Sequence, residues 1–453
     1  MKQVKLQIED YLYEFYRKVG ERAGGLPPER VMADALFRPQ SGEALRACEP
    51  HRLLYGALRT RSGELLDLCL CTISRAPHSY TGEDTAEFQC HGSPVVLRTL
   101  LDELFALGAR QALPGEFTKR AFLNGRMDLS SAEAVADLID AESAESAKNA
   151  AGQLSGALGA RTAGIYAALS DISAHYHAVL DYPDEDIEEF RLEAYTQTLA
   201  RAADELRALL ATHERGKLMC EGIPAAIIGR PNAGKSSLLN ALLGYERAIV
   251  TRVPGTTRDT IEEKLRLGRI CLRLIDTAGL RETDDEVERL GVERSRSAIE
   301  RAALLIAVID GSEAPAEEDK AVLAEAERAG RAIVVLSKKD LSETAEIETR
   351  LPVVKVSSVT GEGIEALGSA IEAMFPLPDV PAGGILTNAR HAEAVSRALA
   401  SVEAALEAMR AGATPDIVLT ESESAMAALG ELDGRTVRED VTNRIFSRFC
   451  VGK

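Results

Sequence analysis

The chain has 453 residues and a formal net charge of −18, with 45% hydrophobic residues, 4% aromatic residues and no tryptophan. The length predicts about three domains with aliphatic cores, and the absence of both a membrane-spanning apolar run and a secretory signal predicts a cytoplasmic protein. The acidic balance argues against a broad nucleic-acid surface, and seven cysteines without CxxC spacing argue for a reduced compartment and against structural zinc.

The first segment, residues 1–34, is predicted to be an amphipathic helix that ends in a glycine- and proline-rich turn. Residues 35–122 are predicted to be a small α+β domain, because 53–58 and 65–73 have strand character and 94–107 is typical of a helix. The apolar residues that share one face of the first helix are Ile8, Tyr11, Leu12, Phe15 and Val19.

Two alanine- and leucine-rich regions, residues 123–217 and 380–453, have helical periodicity and flank a segment of different character. The most economical arrangement is one α-helical domain built from both regions, with the middle segment inserted between them. Two unrelated helical bundles remain the alternative, since composition alone does not separate the two arrangements.

The middle segment, residues 218–379, alternates short apolar runs with amphipathic stretches, which predicts a mainly parallel sheet covered by helices on both faces. A proline- and glycine-rich stretch at 375–384 cannot continue a helix and marks the end of this α/β domain. The predicted strands are 223–228, 270–275, 304–309, 332–336 and 353–356, and the predicted helices are 237–243, 287–300, 317–329 and 364–374.

Residues 229–236 have the pattern GxxxxGK[ST], a phosphate-binding loop placed between a predicted strand and a predicted helix. Gly229 and Gly234 allow backbone amides to point at phosphate oxygens, and the helix N-terminus adds a field that favours anions. Lys235 is expected to contact the β- and γ-phosphates, and Ser236 to bind Mg²⁺. The other loop residues assigned to the nucleotide are Asn232, Ala233 and Ser237.

A second nucleotide motif, Asp276-Thr277-Ala278-Gly279, follows the strand predicted at 270–275. An aspartate there can hold Mg²⁺ through water, and a glycine N–H can contact the γ-phosphate. Between the two motifs, the hydroxyl of Thr257 is assigned to complete the Mg²⁺ shell. The segment that contains it is Thr251-Arg252-Val253-Pro254-Gly255-Thr256-Thr257.

Base selection is assigned to Ser337-Lys338-Lys339-Asp340, directly after the strand predicted at 332–336. The Asp340 carboxylate can accept both N1–H and N2–H of guanine, a donor pair that adenine lacks, so the motif predicts GTP. Typical GTPases have asparagine in place of Ser337, and the shorter side chain predicts somewhat weaker nucleotide binding. The loop expected behind the base is Ser357-Ser358-Val359.

Leu280 follows the second motif, at the position where Ras-like enzymes have the glutamine that orients water. Leucine cannot orient water, so a monovalent cation, an acidic residue or a second subunit has to contribute. Asn232 offers a side-chain oxygen to a cation, although asparagine is equally typical of a turn.

With these motifs the chain resembles the tRNA-modification GTPases of the MnmE (TrmE) type, from about residue 35 to residue 453. The GTPase motifs are part of the resemblance, but a GTPase domain alone would lack the motifs that flank it. These flanking motifs are Ser79-Tyr80-Thr81-Gly82-Glu83-Asp84, Pro114-Gly115-Glu116-Phe117-Thr118-Lys119-Arg120-Ala121-Phe122-Leu123-Asn124 and Phe449-Cys450-Val451-Gly452-Lys453.

The resemblance implies a multidomain protein. An α+β N-terminal domain binds a one-carbon tetrahydrofolate (formyl- or methylene-tetrahydrofolate) and dimerises, and an α-helical domain is interrupted by an inserted α/β P-loop GTPase domain. The homodimer is implied to join an FAD-dependent GidA-type (MnmG-type) subunit as a heterotetramer, which adds a carboxymethylaminomethyl-type group to the wobble uridine of certain tRNAs. The family opens with a glycine-rich segment and a strand, and the helix predicted for 1–34 departs from that pattern.

The resemblance also implies a GTPase that uses K⁺ and the dimerisation of its GTPase domains in place of an arginine finger. Glu288 matches the acidic residue that helps to position water, although by itself it is typical of a solvated carboxylate at the start of a helix. The implied K⁺ ligands are Asn232, Thr251, Val253 and Thr256, and the implied Mg²⁺ ligands are Ser236 and Thr257.

The folate contacts implied by the resemblance include Glu87, whose carboxylate can pair with pterin donors, and Arg126, where the family commonly has lysine. Cys450 and Lys453 are assigned to one-carbon transfer near the folate. Taken alone, Cys450 is typical of a small buried apolar residue.

Three functions are compatible with these observations. The first is the K⁺-stimulated GTPase subunit of an enzyme that modifies the wobble uridine of tRNA. The second is a regulatory GTPase of ribosome or RNA maturation, which the lack of a basic RNA-binding tail disfavours. The third is a relative that hydrolyses GTP but binds folate poorly.

Overall fold

The computed structural model describes residues 2–5, 28–181, 192–245, 263–275, 299–341, 345–376, 380–437, 439–447 and 449. The chain divides into two compact units, of which one comprises Met1–Glu133 with Asp433–Lys453 and the other comprises Ala134–Leu432. Each unit contains one β-sheet among its described residues.

The first unit is built on a five-stranded antiparallel sheet with the order β1-β5-β4-β3-β2. Alternate residues of its strands face a core that contains Phe37, Ile73 and Phe88, as the period-two geometry of a strand requires. The strands are β1 (Lys2–Lys5), β2 (Phe37–Pro39), β3 (Leu54–Arg59), β4 (Leu65–Ser74) and β5 (Thr85–Cys90), and the helices are α1 (Pro28–Leu36), α2 (Pro94–Ala106) and α3 (Glu116–Leu123).

The N-terminal residues depart from the helix predicted for them. Lys2–Lys5 form β1 and pair antiparallel with β5, so that Lys5 lies opposite Glu87. The predicted helix is therefore wrong for these residues, because pairing with a distant strand edge leaves no signal in local periodicity. Strand β1 thus lies in the part of the chain where the sequence analysis expected a helix in place of the family's strand. The residues on which the helix was predicted, 8–19, lie outside the described part of the chain.

The C-terminal helix Glu439–Phe446 packs against α3 within the first unit. The ring of Phe446 lies 6.3 Å from that of Phe122 and 5.3 Å from that of Phe449. A Cβ on Gly115, where φ is +66°, would lie 2.7 Å from the carbonyl oxygen of Phe446, so this close approach requires glycine.

In the second unit, helices that precede and follow the sheet segment share one hydrophobic core. Leu169 and Leu206 pack there with Val395 and Val402, although the whole sheet segment separates them in sequence. Helix α4 (Leu129–Ile139) begins in the first unit and continues into the second. The other helices are α5 (Ala144–Leu154), α6 (Ala157–Asp181), α7 (Leu192–Leu210) and α8 (His213–Glu221) before the sheet, and α12 (Ala389–Arg410) and α13 (Pro415–Asp433) after it.

The sheet of the second unit has six strands in the order β11-β10-β9-β6-β8-β7, and all neighbours are parallel except the β7–β8 hairpin. Every residue of β9 and β10 is buried, which explains their continuous apolar runs. The strands are β6 (Ile223–Ile228), β7 (Glu263–Leu267), β8 (Ile270–Leu274), β9 (Leu304–Asp310), β10 (Ala332–Ser337) and β11 (Val353–Lys355), and the helices are α9 (Lys235–Tyr245), α10 (Glu317–Arg328) and α11 (Ile364–Met374).

The predicted elements of this segment agree with the structure to within two residues wherever the structure describes them. Strand β7 was not predicted, because Glu263–Leu267 has only two apolar residues, the buried Leu265 and Leu267, among three charged ones. Most of the helix predicted at 287–300 lies outside the described residues.

Candidate functional site

The phosphate-binding motif forms the turn between β6 and α9, beside the end of β9. A Cβ on Gly229 would lie 2.4 Å from the carbonyl oxygen of Val308, so no side chain fits where the loop leaves the sheet. Gly234 has a φ of +98°, a region that favours glycine. The turn is therefore a cradle of backbone groups that opens onto the first turn of α9, as phosphate binding requires.

Lys235 lies across this turn. Its Nζ donates hydrogen bonds of 2.8 Å to the carbonyl oxygens of Gly229 and Arg230. Burial lowers the pKa of the ammonium group. Because both partners are neutral carbonyls, the ammonium charge is available to an anion that enters the turn.

Asn232 occupies the left-handed backbone region with a φ of +63°, which asparagine tolerates better than most residues. Its side chain is exposed, and no hydrogen bond to its amide is found among the described residues. Ser236 and Ser237 open α9 and are also exposed. The side-chain amide of Asn232 and the first turn of α9 are therefore both accessible to a ligand at the phosphate-binding loop.

Ser337, which replaces the asparagine of typical GTPases, is buried between the two nucleotide motifs. Its hydroxyl lies 2.6 Å from the carbonyl oxygen of Ala233 and 3.2 Å from that of Ile309. A hydroxyl has one proton to donate, so the shorter contact to Ala233 is the stronger bond. Ser337 therefore ties the base-selection motif to the phosphate-binding loop.

Asp340 is held by the loop predicted to lie behind the base. Its Oδ1 accepts a hydrogen bond of 2.6 Å from the Ser357 hydroxyl, whose oxygen accepts one of 3.1 Å from the Thr360 amide. Asp340 is nevertheless exposed, with Ser358 half-buried and Val359 exposed nearby in the loop. The carboxylate is oriented and accessible, as an acceptor for a base must be.

Asp310, which the sequence analysis did not assign, fixes the adjacent Lys338. The buried carboxylate lies 2.5 Å from the Lys338 Nζ, and Lys338 has a φ of +59°. Burial alone would raise the pKa of Asp310, but hydrogen bonds from Lys338 and Ser312 lower it. The signal in the sequence that could have found Asp310 is an aspartate at the end of an otherwise apolar strand.

Lys339 pairs with Glu362 over 2.7 Å at the surface.

Several predicted site residues lie outside the described part of the chain, so their placement is not part of this geometry. They are Thr251, Arg252, Val253, Pro254, Gly255, Thr256, Thr257, Asp276, Thr277, Ala278, Gly279, Leu280, Glu288, Cys450 and Lys453.

In the first unit, Arg126 packs against the loop that carries the motif at 79–84. Its Nε donates to the carbonyl oxygen of Ser79 over 3.1 Å, and the Asn124 amide donates to that of Thr81 over 2.8 Å. The Ser79 hydroxyl oxygen is buried and has no hydrogen-bond partner among the described residues. A buried hydroxyl without a partner is costly, and a polar ligand can satisfy it.

Glu87 lies on β5 between the buried residues Ala86 and Phe88, so its side chain points to the other face of the sheet. It is half-buried, and the register places it opposite Thr72 on one side and Lys5 on the other. Its position on the sheet is thus fixed by strand pairing.

Glu116 is a second residue whose role the sequence analysis missed. The Arg110 guanidinium donates hydrogen bonds of 2.8 and 2.6 Å to its carboxylate. The Leu113 amide and the Arg120 guanidinium donate further hydrogen bonds of 2.7 and 2.9 Å. Burial alone would raise the pKa of Glu116, but these donors lower it to about 2. The motif around Glu116 therefore holds the start of α3 in place.

Comparison with known proteins identifies relatives over most of the chain. The family description "GTP-binding protein TrmE N-terminus" matches residues 23–126, and "MnmE helical domain" matches residues 129–450. The chain belongs to the MnmE family of tRNA modification GTPases. Among the relatives named "tRNA modification GTPase MnmE", the protein of Heliobacterium modesticaldum is 41% identical over 94% of this chain and 95% of its own length.

Other MnmE relatives match to a similar extent. The protein of Symbiobacterium thermophilum is 40% identical over 93% of both chains, and that of Moorella thermoacetica is 42% identical over 92% of this chain and 93% of its own.

Over the residues that the structure describes, no helix has the length and apolar character needed to span a membrane.

Proposed function

We propose that this MnmE-family protein hydrolyses GTP with Mg²⁺ and K⁺ while its complex modifies the wobble uridine of certain tRNAs with a one-carbon tetrahydrofolate. The observation that carries the nucleotide part is the hydrogen bond from Ser337 to Ala233, which joins the base-selection motif to the phosphate-binding loop. A single ligand that bears both a base and phosphates can satisfy the two motifs together.

The described residues fit a guanine nucleotide. The backbone cradle at Gly229 and the N-terminus of α9 suit phosphates, and the oriented Asp340 carboxylate suits the two guanine donors. Ser236 and Thr257 are the proposed Mg²⁺ ligands, with Asp276 acting through water. Mg²⁺, when bound, neutralises charge on the β- and γ-phosphates.

The base assignment is tested by Asp340→Asn. The asparagine side chain has only one oxygen to accept from the N1–H and N2–H groups of guanine. Its NH₂ group can donate to xanthine, which has a carbonyl oxygen where guanine has N2–H. We expect GDP affinity to fall by about 30- to 1,000-fold, for a loss of about 2–4 kcal/mol, while XDP affinity rises. Titration with fluorescent nucleotides measures both, and unchanged GDP affinity would refute the assignment.

For the monovalent cation, the accessible amide of Asn232 at the edge of the phosphate-binding loop supports the proposal. The other proposed K⁺ ligands are Thr251, Val253 and Thr256. K⁺ would supply positive charge near the γ-phosphate, which Leu280 cannot do, and Glu288 is proposed to orient the attacking water across a dimer of GTPase domains.

For the folate, the buried Ser79 hydroxyl without a partner and the adjacent Arg126 support a site for a polar ligand. Glu87 is the proposed partner of the pterin donors, and Cys450 and Lys453 are proposed to act in one-carbon transfer. The alternative with poor folate binding rested on the lack of the family's glycine-rich opening and the strand after it. Strand β1 lies beside Glu87 on β5, which supports the folate proposal over that alternative.

Calorimetry with formyl-tetrahydrofolate tests this site. We expect micromolar binding by the full chain and a loss of about tenfold or more in Arg126→Ala, since a charge-assisted hydrogen bond contributes about 1.5–3 kcal/mol. Arg59→Ala, which removes an exposed arginine of β3, is the control and should bind normally. Absence of heat at high folate concentration would leave the GTPase proposal standing and refute the folate site.

We also propose the domain boundaries 1–34, 35–122, 123–217, 218–379 and 380–453, with the GTPase domain inserted into one helical domain. The core that α6 and α7 share with α12 and α13 supports the insertion.

We also propose that the protein forms a homodimer and binds an FAD-dependent MnmG-type partner. Gel filtration tests the homodimer, and co-purification tests the partner. Capture of ribosomes in place of the FAD protein would favour a regulatory GTPase.

A further inference from the structure

Three potential metal ligands meet in the first unit, outside the nucleotide and folate sites. Asp67 and Cys69 lie on β4, and Cys90 is the last residue of β5. One carboxylate oxygen and the two Sγ atoms all lie within 4.8 Å of one another. The strand register explains this meeting, because Leu70 pairs with Gln89 and the next position along brings Cys69 opposite Cys90.

The cluster has the composition of a site for a thiophilic divalent cation. Two thiolates and a carboxylate are zinc ligands, with Zn–S distances of about 2.3 Å and Zn–O distances of about 2.0–2.2 Å. In tetrahedral geometry these distances place ligand atoms roughly 3.5–3.8 Å apart, so no pair of ligand atoms, all within 4.8 Å, has to approach by more than about 1.3 Å.

The carboxylate is already oriented. Asp67 Oδ1 accepts hydrogen bonds of 2.8 Å from the Leu68 amide and from His91 Nδ1, and Oδ2 accepts one of 2.9 Å from the His91 amide. Ligand carboxylates in metal sites are commonly held by such outer hydrogen bonds. The His91 side chain is 74% exposed and Asp67 is 10% exposed, whereas Cys69 and Cys90 are buried, so the carboxylate is the part of the cluster that lies nearest the surface.

We propose that Asp67, Cys69 and Cys90 bind one thiophilic divalent cation such as Zn²⁺, with His91 orienting Asp67 and a water molecule as the fourth ligand. Binding forms two metal–sulfur bonds and releases the two thiol protons, without oxidation or reduction. The sequence analysis expected no structural zinc, because it sought CxxC spacing. Here the thiols come from different strands and meet only through β4–β5 pairing.

Cys71 offers a matched control within the same strand. It is the next inward-facing residue of β4, is fully buried and lies opposite Phe88, outside the metal-ligand cluster. Removing the Cys71 thiol therefore makes a cavity of similar size in the same core without changing the proposed ligands.

The test titrates Co²⁺ into the reduced, chelator-treated full-length protein. We expect one equivalent to produce a thiolate-to-cobalt charge-transfer band that Zn²⁺ displaces, with two protons released per ion. Oxygen ligands at a nucleotide site do not give this band. Cys69→Ala and Cys90→Ala should abolish it, and Cys71→Ala should keep it.

Variants of the oxygen ligand and its partner keep the test independent of folding defects. Asp67→Asn should weaken Co²⁺ binding by tenfold or more, and His91→Ala by about 10- to 100-fold, the usual effect of losing an outer hydrogen bond. No charge-transfer band in the wild-type protein would overturn the proposal, as would its loss in Cys71→Ala or its full strength in Asp67→Asn.

Discussion

At the scale of single residues, Ser337 shows how a substitution within a motif can change its role. A serine is too short to extend toward the base as asparagine does, and its hydroxyl is directed inward to Ala233 over 2.6 Å. The residue is buried, so the bond is protected from water. The base-selection loop and the phosphate-binding loop are therefore positioned as one unit before nucleotide arrives.

We expect Ser337→Ala to weaken binding of GDP by about fivefold, because a buried hydrogen bond contributes about 1 kcal/mol and its loss frees the phosphate-binding loop. Stopped-flow measurements with a fluorescent GDP analogue check this, and the change should appear mainly in the dissociation rate. Ser155→Ala, which removes an exposed hydroxyl bonded to Gly152, is the control. Equal affinity in wild type and Ser337→Ala would show that the bond does not preorganise the site.

Glu116 gives a prediction with a defined pH range. Its pKa is lowered from 4.5 to about 2, so its ionised form stabilises the first unit above the pKa of the unfolded chain. That contribution, about 3 kcal/mol, is lost as the pH falls from about 5 toward about 2. We expect Glu116→Gln to lower the free energy of unfolding at neutral pH and to flatten its acid dependence.

Urea unfolding of the full chain at a series of pH values measures this effect. Glu64→Gln, at an exposed position of the same unit, should leave the pH profile unchanged. A Glu116→Gln profile that is as steep as that of the wild type would contradict the assigned role of the Arg110–Glu116–Arg120 cluster.

At the scale of elements, the turn between β6 and α9 depends on backbone that passes close to β9. A Cβ on Gly229 would meet the Val308 carbonyl oxygen at 2.4 Å, whereas a Cβ on Gly244 of α9 would meet no atom within 4 Å. The two glycines therefore separate the effect of crowding the loop from that of adding a methyl group to the domain.

We expect Gly229→Ala to reduce nucleotide affinity by roughly five- to 150-fold, since overpacking at such a contact costs about 1–3 kcal/mol. Gly244→Ala should bind normally and gain up to about 1 kcal/mol of stability from helix propensity. Equilibrium titration and thermal unfolding of both variants measure these changes. Normal GDP binding by Gly229→Ala would mean that the loop can move away from β9.

The sequence predicted the central strands of the parallel sheet because β9 and β10 are buried on both faces and consist of apolar residues at every position but the last. It predicted the phosphate-binding loop because the spacing of its residues is local. It did not predict β1 or the pairing of Lys338 with Asp310. Both depend on partners that are distant in sequence, which neither periodicity nor motif spacing encodes.

At the scale of the whole molecule, the segment that follows the nucleotide-binding sheet makes hydrogen bonds and close contacts with the helices that precede the sheet. Asn149 of α5 donates to the Ile385 carbonyl oxygen over 3.1 Å and accepts from the amides of Gly383 and Ile385 over 3.1 and 3.3 Å. A Cβ on Gly216 of α8 would lie 2.1 Å from the Leu386 carbonyl oxygen, so this chain crosses the helix in close contact. These contacts join both ends of the sheet segment to one helical core.

We expect Asn149→Ala to destabilise the second unit by about 2–4 kcal/mol, because it leaves buried backbone groups of the crossing segment without partners. Asn240→Ala, at an exposed position of α9, should change stability by less than about 0.5 kcal/mol. Denaturant unfolding measures both. A small effect of Asn149→Ala would show that its hydrogen bonds do not hold the crossing segment in place.

The central proposal is that a monovalent cation held at Asn232 supplies positive charge near the γ-phosphate, in a chain that has Leu280 in place of the water-orienting glutamine. The most direct measurement is the rate of GTP hydrolysis in K⁺ and in Na⁺, for the wild type and for Asn232→Ala. We predict that K⁺ accelerates the wild type at least about tenfold over Na⁺, since one positioned charge at a transition state contributes that much or more. Asn232→Ala should bind GDP normally but hydrolyse GTP equally slowly in both salts. Equal wild-type rates in K⁺ and Na⁺, or a K⁺ effect that survives Asn232→Ala, would contradict the account.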